Sequence, residues 1–395
     1  MITEHAILQA LKNNELVYYY QPKVSFITGK VVGAEALIRW IKADGSIIPP
    51  NDFIPIAEKS WLIKEITLSM LDKLIRDLVI ILDIKPIAIS FNVSAQDLAD
   101  TLLVDKTAKV LKQLSIDPKF IEVELTETSA IIASDTIKEN ISKLCDAGIR
   151  ISMDDFGTGF ASMEVFSQWP FSGLKLDMSL IEQMLDSPKH LSIIQNSIRI
   201  GHELGIDIIA EGIESEEQYQ LLLESGCTKS QGFWISKPLP LDEFIDFIAE
   251  DLRFSGLPIG LLHMSLLDHI QWRKKLISLI MKYSASQNKA GIIAQLPELS
   301  HWDCKLGKWI NGLGKEHHQH DEIEALDKAH QHLHNTANRL VDMVIAEKTK
   351  KDYFPFVQEL SDHSTEVIKL LHHLEAKGLM EMHQHHQKWL EHPFH

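Results

Sequence analysis

The stretch Val31-Val-Gly-Ala-Glu-Ala-Leu-Ile-Arg-Trp40, VVGAEALIRW, reads as a buried β-strand, yet it closes on a glutamate and an arginine. An unpaired carboxylate is costly inside a protein, so a charge at the end of such a run faces a site or the solvent. The pattern recurs in LVYYYQPKV (16–24), IAISFNVS (87–94), FIEVELTE (120–127), RISMDDFG (150–157), GLKLDMS (173–179), DIIAEGIE (207–214) and SQGFWIS (230–236). Longer amphipathic segments, such as 51–82 and 98–114, lie between most of these runs, and a short turn at Thr28-Gly29 allows the first two to form a hairpin. Eight strands with intervening helices predict an α/β fold, a TIM-like (β/α)8 barrel with an irregular antiparallel start. An open doubly wound sheet is the alternative, but no GxGxxG follows the first strands.

Nearly every run ends in polar residues: Glu35, Asn92, Glu124 and Glu127, Asp154 and Asp155, Lys175 and Asp177, Glu211 and Glu214, Gln231. A single strand-end charge reaching solvent is ordinary. In a (β/α)8 barrel, however, the carboxyl ends of the strands converge on one face, where active sites sit. Carboxylates gathered around one mouth repel unless cations lie between them, and hard oxygen donors select Mg²⁺ or Mn²⁺. The adjacent Asp154-Asp155, with a turn at Gly157, can send one oxygen to each of two ions, a clamp suited to phosphodiester hydrolysis. A single-metal lyase or aldolase mechanism fits the same geometry. Lys175 as a Schiff-base nucleophile is disfavoured, because so many carboxylates keep it protonated.

Composition bounds these readings. A chain of 395 residues is comfortable for two domains, and its 45 % apolar content allows a sizeable core. A formal charge of −16 argues against a grip on nucleic-acid polymers. Three scattered cysteines make no disulfide framework, no signal peptide is apparent, and the apolar runs are too short to span a bilayer. A cytoplasmic protein without membrane partners is expected. Of 20 histidines, 17 follow residue 260, which marks a domain boundary. The divisions expected are a barrel over 1–252, a linker over 253–261, a helical bundle over 262–377 and a His-rich tail over 378–395.

The string Glu35-Ala36-Leu37, extended as EALIRW, resembles the signature of the EAL-domain phosphodiesterases, which hydrolyse cyclic di-GMP to linear pGpG. The resemblance covers roughly residues 1–250 and rests on the ordered set YQPKV, EALIRW, FNVS, ELTE, DDFGTGF, LKLD, AEGIE and QGFWISKPL. It implies two Mg²⁺ or Mn²⁺ ions held by Glu35, Asn92, Glu124 and Asp154, with Asp155 on the second ion and Asp177 supporting the metal shell. Lys175 would hold the attacking water or the scissile phosphate, and Glu211 would be general base or metal partner. Gln21, Leu37, Arg39 and Gln231 would contact cyclic di-GMP. Glu127, with Glu214, would fix the loop from Asp155 to Gly159, which in this family couples a homodimer contact to metal binding. Ala161 and Met163 stand where the family carries Ser and Leu. An intact set of acidic and amide positions favours an enzyme over a silent receptor, and the absence of a GGDEF string argues against a dual-function protein.

From Leu261 onward the periodicity is helical, over 261–283, 297–313, 321–347 and 353–377, which predicts an all-α four-helix bundle. His330 and His334, spaced i, i+4, share one helix face, a spacing suited to one metal ion. Cys304, in HWDCKLGKWING, is the only thiol of this region, and His269 stands one turn before Trp272. Three His and one Cys match a closed tetrahedral zinc site. The set resembles the chemoreceptor zinc-binding domain in its His-x-x-Trp, Cys-x-Leu-Gly-x-Trp and His-x-x-x-His pieces; His263 is a substitute for His269. A hemerythrin-like di-iron bundle is disfavoured, because too few residues separate Glu322 from His330 to end one helix and begin another. His332 falls on another face as a bystander. The tail from His383 is expected to be an unstructured polar end that binds metal at most loosely. The reading is a phosphodiesterase tuned by zinc at its own bundle. The alternatives are a catalytically silent cyclic di-GMP receptor signalling through zinc, and a bundle serving only structure or dimerisation.

Overall fold

A computed structural model describes residues 2–126, 134–157, 169–250, 252, 254, 259–283, 288–311 and 320–391. The chain forms two compact units, Met1–Gly256 and Leu257–His395. No helix among the described residues is long and apolar enough to cross a membrane.

In the first unit, β1 (Leu16–Ser25) and β2 (Val31–Ile41) form the expected hairpin, with Gln21 opposite Glu35. Two residues, β3 (Ile47–Ile48), fold back on the end of β2. From β2 the sheet runs parallel through β4 (Ala88–Asn92), β5 (Ile121–Thr126), β6 (Arg150–Phe156), β7 (Gly173–Leu176), β8 (Asp207–Ala210) and β9 (Lys229–Ser230). β9 then pairs antiparallel with β1, closing an eight-stranded barrel in which β1 alone runs against its neighbours.

Alternation along the strands sorts side chains between two environments. Ile89 and Phe91, Val123 and Leu125, Leu174 and Leu176 are fully buried apolar residues of one face. A Cβ on Gly201, in the helix Pro188–Leu204, would strike Ile208, so this face meets the helices. The other face carries Glu35, Ser90, Glu122, Glu124, Ser152, Asp154 and Lys175, all buried. A Cβ on Gly173 would touch Ser152, Ile209 and Glu122, which places those three inside the barrel. Bulky apolar side chains ordinarily fill such an interior; here it is largely polar.

Several expectations are corrected. Glu35 lies in the middle of the eleven-residue β2, not at its end. The run 230–236 contributes only Ser230 to a strand, because Gly232 turns the chain against Ile213. The segment 51–82 breaks into a 3₁₀ turn (Pro50–Asp52), a short helix (Ile54–Lys59) and the helix Leu62–Ile84, separated at Trp61, whose φ is 65°. In the second unit, three long helices, Ile259–Tyr283, His320–Ile345 and Lys350–Glu391, share an apolar core that includes Leu276, Leu306, Leu326, Leu333, Leu360 and Leu371. The helix expected from residue 297 begins only at Lys305, with Lys305–Trp309 α-helical, and is preceded by the short helix Lys289–Ile293; residues 312 and 313 of the expected span lie outside the described residues. The last helix continues to Glu391, so the stretch expected to be unstructured is helical almost to the end.

Gly232 is a point of close backbone approach in the barrel. An added Cβ would lie 2.2 Å from both the backbone N and O of Ile213, atoms that cannot yield as a flexible side chain can. Gly232→Ala is therefore expected to destabilise the barrel by about 3 kcal/mol, read as a lowered urea midpoint with an unchanged slope.

Candidate active site and metal centre

Carboxylates from β2, β5, β6 and the loop after β8 converge on one amine, that of Lys175 on β7. Lys175 Nζ lies 2.5 Å from Glu124 Oε2, 2.7 Å from Glu211 Oε1, 3.1 Å from Asp154 Oδ1 and 3.3 Å from Glu35 Oε2. Burial alone would lower this ammonium's pKa, but the carboxylates of Asp154, Glu124, Glu211 and Glu35 outweigh it and hold the pKa well above the ordinary lysine value. Lys175 is therefore a fixed cation. A second buried amine, Lys23, contacts Glu124 Oε1 at 2.6 Å and Ser90 Oγ at 2.7 Å. Burial works against ionisation of Glu124, yet Lys175 and Lys23 together keep it well below the usual carboxylate range. Burial pushes Glu35, Asp154 and Glu211 the other way, above their ordinary values, with neighbouring carboxylates adding to the shift.

Amides complete the cluster. Asn92 Nδ2 donates to Glu35 Oε1 at 2.9 Å, and Gln231 Nε2 donates to Glu35 Oε2 at 2.6 Å and to Gln21 Oε1 at 3.0 Å. Gln21 in turn donates to the carbonyl of Ser236. Gln231 Oε1 is buried without a partner among the described residues.

Consecutive residues of a regular strand point to opposite faces, so Asp154 and Asp155 could not both serve one site without a break. β6 supplies it: its register against β7 slips between Met153 and Phe156, and Asp155 takes a φ of 58°. The Asp155 amide donates to Asp154 Oδ1 at 2.9 Å. Burial and the nearby Asp177 raise the Asp155 carboxyl. Asp177 itself caps the short helix Met178–Glu182, accepting from the Ser179 amide at 2.9 Å.

The remaining expected positions lie outside the cluster. Leu37 and Arg39 follow Glu35 along β2, both half-buried; Arg39 donates to the carbonyl of Ile38 and its guanidinium stands 6.0 Å over the Tyr19 ring. Glu214 is exposed at the head of the helix Glu216–Glu224. Glu127, and with it Thr158 and Gly159 of the coupling loop, lies outside the described residues. Sequence reasoning missed Lys23 and Ser90. The signal for Lys23 was available: in YQPKV it stands two residues from Gln21, on the same face of β1.

Ligand oxygens of Glu35, Glu124 and Asp154 all lie within 4.8 Å of one another. Such a close set of buried, hard oxygen donors, two of them raised above their ordinary pKa chiefly by burial, fits divalent ions of the Mg²⁺ class.

The second unit holds a cluster of different chemistry. Ligand atoms of Cys304, His330 and His334, all buried, also fall within 4.8 Å of one another. Cys304 Sγ is 3.2 Å from His330 Nε2 and accepts from the Gly307 amide at 3.3 Å as the cap of the helix Lys305–Trp309. Gly307 is required there, since a Cβ would sit 1.7 Å from the His301 carbonyl. His334 Nδ1 donates to the Leu299 carbonyl at 2.8 Å, which leaves Nε2 as a lone pair. His330 Nδ1 is buried without a partner among the described residues. His269 is buried on the first long helix and stacked on Trp272, with its Nε2 3.1 Å from Ser364 Oγ. One thiol and buried neutral imidazoles fit zinc and not the hard ions of the barrel.

One chain thus carries a closed barrel with convergent carboxylates and a helical unit with a Cys/His cluster. The model of the EAL domain matches residues 4–238, and the chain belongs to the EAL-domain family. The model of the chemoreceptor zinc-binding domain matches residues 269–341, beginning at His269. The signaling protein YkoW of Bacillus subtilis is 37% identical over 248 residues, 62% of this chain and 31% of that protein. The cyclic di-GMP phosphodiesterase RocR of Pseudomonas aeruginosa is 31% identical over 244 residues, 62% of each chain. The matched region thus spans less than two thirds of these relatives' own length. Among solved structures, the phosphodiesterase PaMucR in its c-di-GMP complex superposes with a TM-score of 0.58 at 35% identity, covering 61% of this chain and 98% of that one.

Burial pushes the imidazole of His269 down to about 4 and that of His330 to about 3, from an ordinary 6.5. A base whose pKa is depressed on folding binds more protons when unfolded, so stability rises with pH between the two values. The metal-free bundle is expected to lose stability on acidification from about pH 6.5 to about pH 4, by up to ~1.4 kcal/mol per pH unit for each of the two histidines. Urea unfolding of chelator-treated protein from pH 7.5 to 4.5 measures the slope, which His330→Asn should reduce.

Proposed function

We propose that the barrel hydrolyses cyclic di-GMP to linear pGpG with two Mg²⁺ or Mn²⁺ ions, and that zinc at the helical unit regulates this activity. The observation that carries the first part is the convergence of Glu35, Glu124, Asp154 and Glu211 on the single ammonium of Lys175. Four carboxylates and two buried lysines leave negative charge in excess, which calls for further cations. The relatives named for cyclic di-GMP chemistry support the substrate.

Ions held by Glu35, Asn92, Glu124 and Asp154, with Asp155 on the second, would supply the positive charge that makes water a nucleophile and neutralises the phosphodiester. Lys175, kept protonated, would hydrogen-bond a phosphate oxygen or orient the attacking water. Glu211 is the most accessible of the four carboxylates at Lys175, with 18% of its side chain exposed, and its raised proton affinity suits a group that takes the water's proton. Gln231 offers its unpartnered buried Oε1 to a ligand N–H or to water. Leu37 and Arg39, farther along β2, would line the path of the dinucleotide. Asp177 would act on the shell through Asp155, since its own carboxylate caps a helix.

Loss of a mere outer-shell partner costs a metal site about 10- to 100-fold, so Glu35→Ala or Asp154→Ala is expected to lower turnover by at least about 100-fold. Calorimetry should show Mn²⁺ binding weakened in parallel, with circular dichroism unchanged. Near-native turnover by either variant at low Mg²⁺ would contradict the assignment.

For the bundle, His269, Cys304, His330 and His334 form the proposed zinc set, drawn from three helices. Zinc can shift the enzyme only through a difference in affinity between two bundle states, and substrate must then alter zinc affinity reciprocally. Turnover measured across buffered free zinc is expected to change for the native chain and to stay flat for Cys304→Ala, with the folded fraction followed alongside. A flat native response would leave zinc a structural staple.

A further inference from the structure

We propose that Ser364 is a latch on the zinc site: it holds His269 away from Cys304, His330 and His334 and competes with the metal for that ring. The inference rests on the zinc reading above and deepens it. Cys304, His330 and His334 form one compact donor group, and His269 is not part of it. In a tetrahedral site with Zn–N near 2.0 Å and Zn–S near 2.3 Å, ligand atoms stand roughly 3.3–3.8 Å apart. His269 must therefore move to become the fourth ligand.

What it must leave is visible. His269 Nε2 is 3.1 Å from Ser364 Oγ, and both residues are buried, Ser364 completely. Ser364 belongs to the last long helix, so the contact ties that helix to the first. Trp272 gives the ring a track. It stacks on His269 with an interplanar angle of 16° and a centroid distance of 6.2 Å, and it lies 4.6 Å from the His334 ring. Its own Nε1 is fixed to the Glu298 carbonyl at 2.8 Å. A ring stacked on a fixed indole can slide in its own plane toward His334.

A supporting role for Ser364 is the natural alternative, in which the hydroxyl orients a ring already on the metal. His334 shows what support looks like: its Nδ1 holds the Leu299 carbonyl while the ring stays within the donor group. His269 has its partner but lies outside the group, which favours competition. Release is cheap for the serine, because a helical hydroxyl can turn to the carbonyl four residues earlier, as Thr365 does with Ser361.

The two roles predict opposite effects of Ser364→Ala on zinc affinity, measured on the full chain by competition with a chromophoric chelator at pH 7.5. A latch predicts binding tighter by about 3- to 10-fold, the size of one neutral hydrogen bond, at an unchanged 1:1 stoichiometry. In a His269→Ala background the same substitution should have no effect, because the ring that Ser364 restrains is gone. Cobalt in place of zinc should give the absorption of a four-coordinate thiolate site in the native chain and in Ser364→Ala alike. Weaker or unchanged zinc binding by Ser364→Ala would overturn the latch while native binding upheld the zinc reading. A native chain that takes up no zinc would overturn both.

Discussion

One buried ammonium organises the barrel. Lys175 is shared among carboxylates from β2, β5, β6 and the loop after β8, strands that are not all neighbours in the sheet. Like charges that close cannot all stay ionised in a poorly solvated interior unless cations lie among them. Lys23 answers part of the demand at the second oxygen of Glu124. The rest appears as raised proton affinity: burial, reinforced by the neighbouring carboxylates, favours the neutral forms of Glu35, Asp154 and Glu211. A site that is short of positive charge and lined with hard oxygens is a site for divalent cations, and the proposed chemistry follows from that deficit.

The same constraint explains how the strands are written. With the polar set inside, the apolar set must face the helices, so the strands alternate where buried parallel strands usually read as continuous apolar runs. β1 runs antiparallel to both neighbours and contributes Gln21 and Lys23 from its middle. Reversal of one strand leaves its alternation intact, so Gln21 still lies beside Glu35 of the neighbouring β2 and accepts from Gln231, which follows β9 on its other side.

Most of this was legible in the residues because alternation and charge are local signals. The eight β-rich runs, and the gathering of Glu35, Glu124, Asp154, Lys175 and Glu211 at one site, were read from apolar runs that carry polar groups and alternate with helical segments. What escaped depends on long-range fit. Gly232 ends β9 early because the backbone of Ile213 lies against it, which no local pattern announces. Lys23 was given no role from the sequence, and it is buried against Glu124, a strand-to-strand contact 101 positions apart. The motif implies that Asp177 supports the metal shell, and the helix cap its carboxylate makes at Met178–Glu182 was not readable from that motif. In the helical unit, the i, i+4 pair His330 and His334 and the lone Cys304 were readable. The contact of His269 with Ser364 spans 95 positions and was not. The final helix continues past residue 377 despite its many histidines, since polar composition sets solubility and does not by itself end a helix.

The central claim is that the charge cluster of the barrel turns over a cyclic dinucleotide and does not merely hold it. Purified chain incubated with cyclic di-GMP and Mg²⁺ or Mn²⁺, with products resolved by anion exchange and identified by mass, decides this directly. The account predicts accumulation of linear pGpG that stops when the divalent ion is chelated. Cyclic di-GMP that binds with measurable affinity yet stays intact in saturating Mg²⁺ and Mn²⁺ would contradict it and make the barrel a receptor.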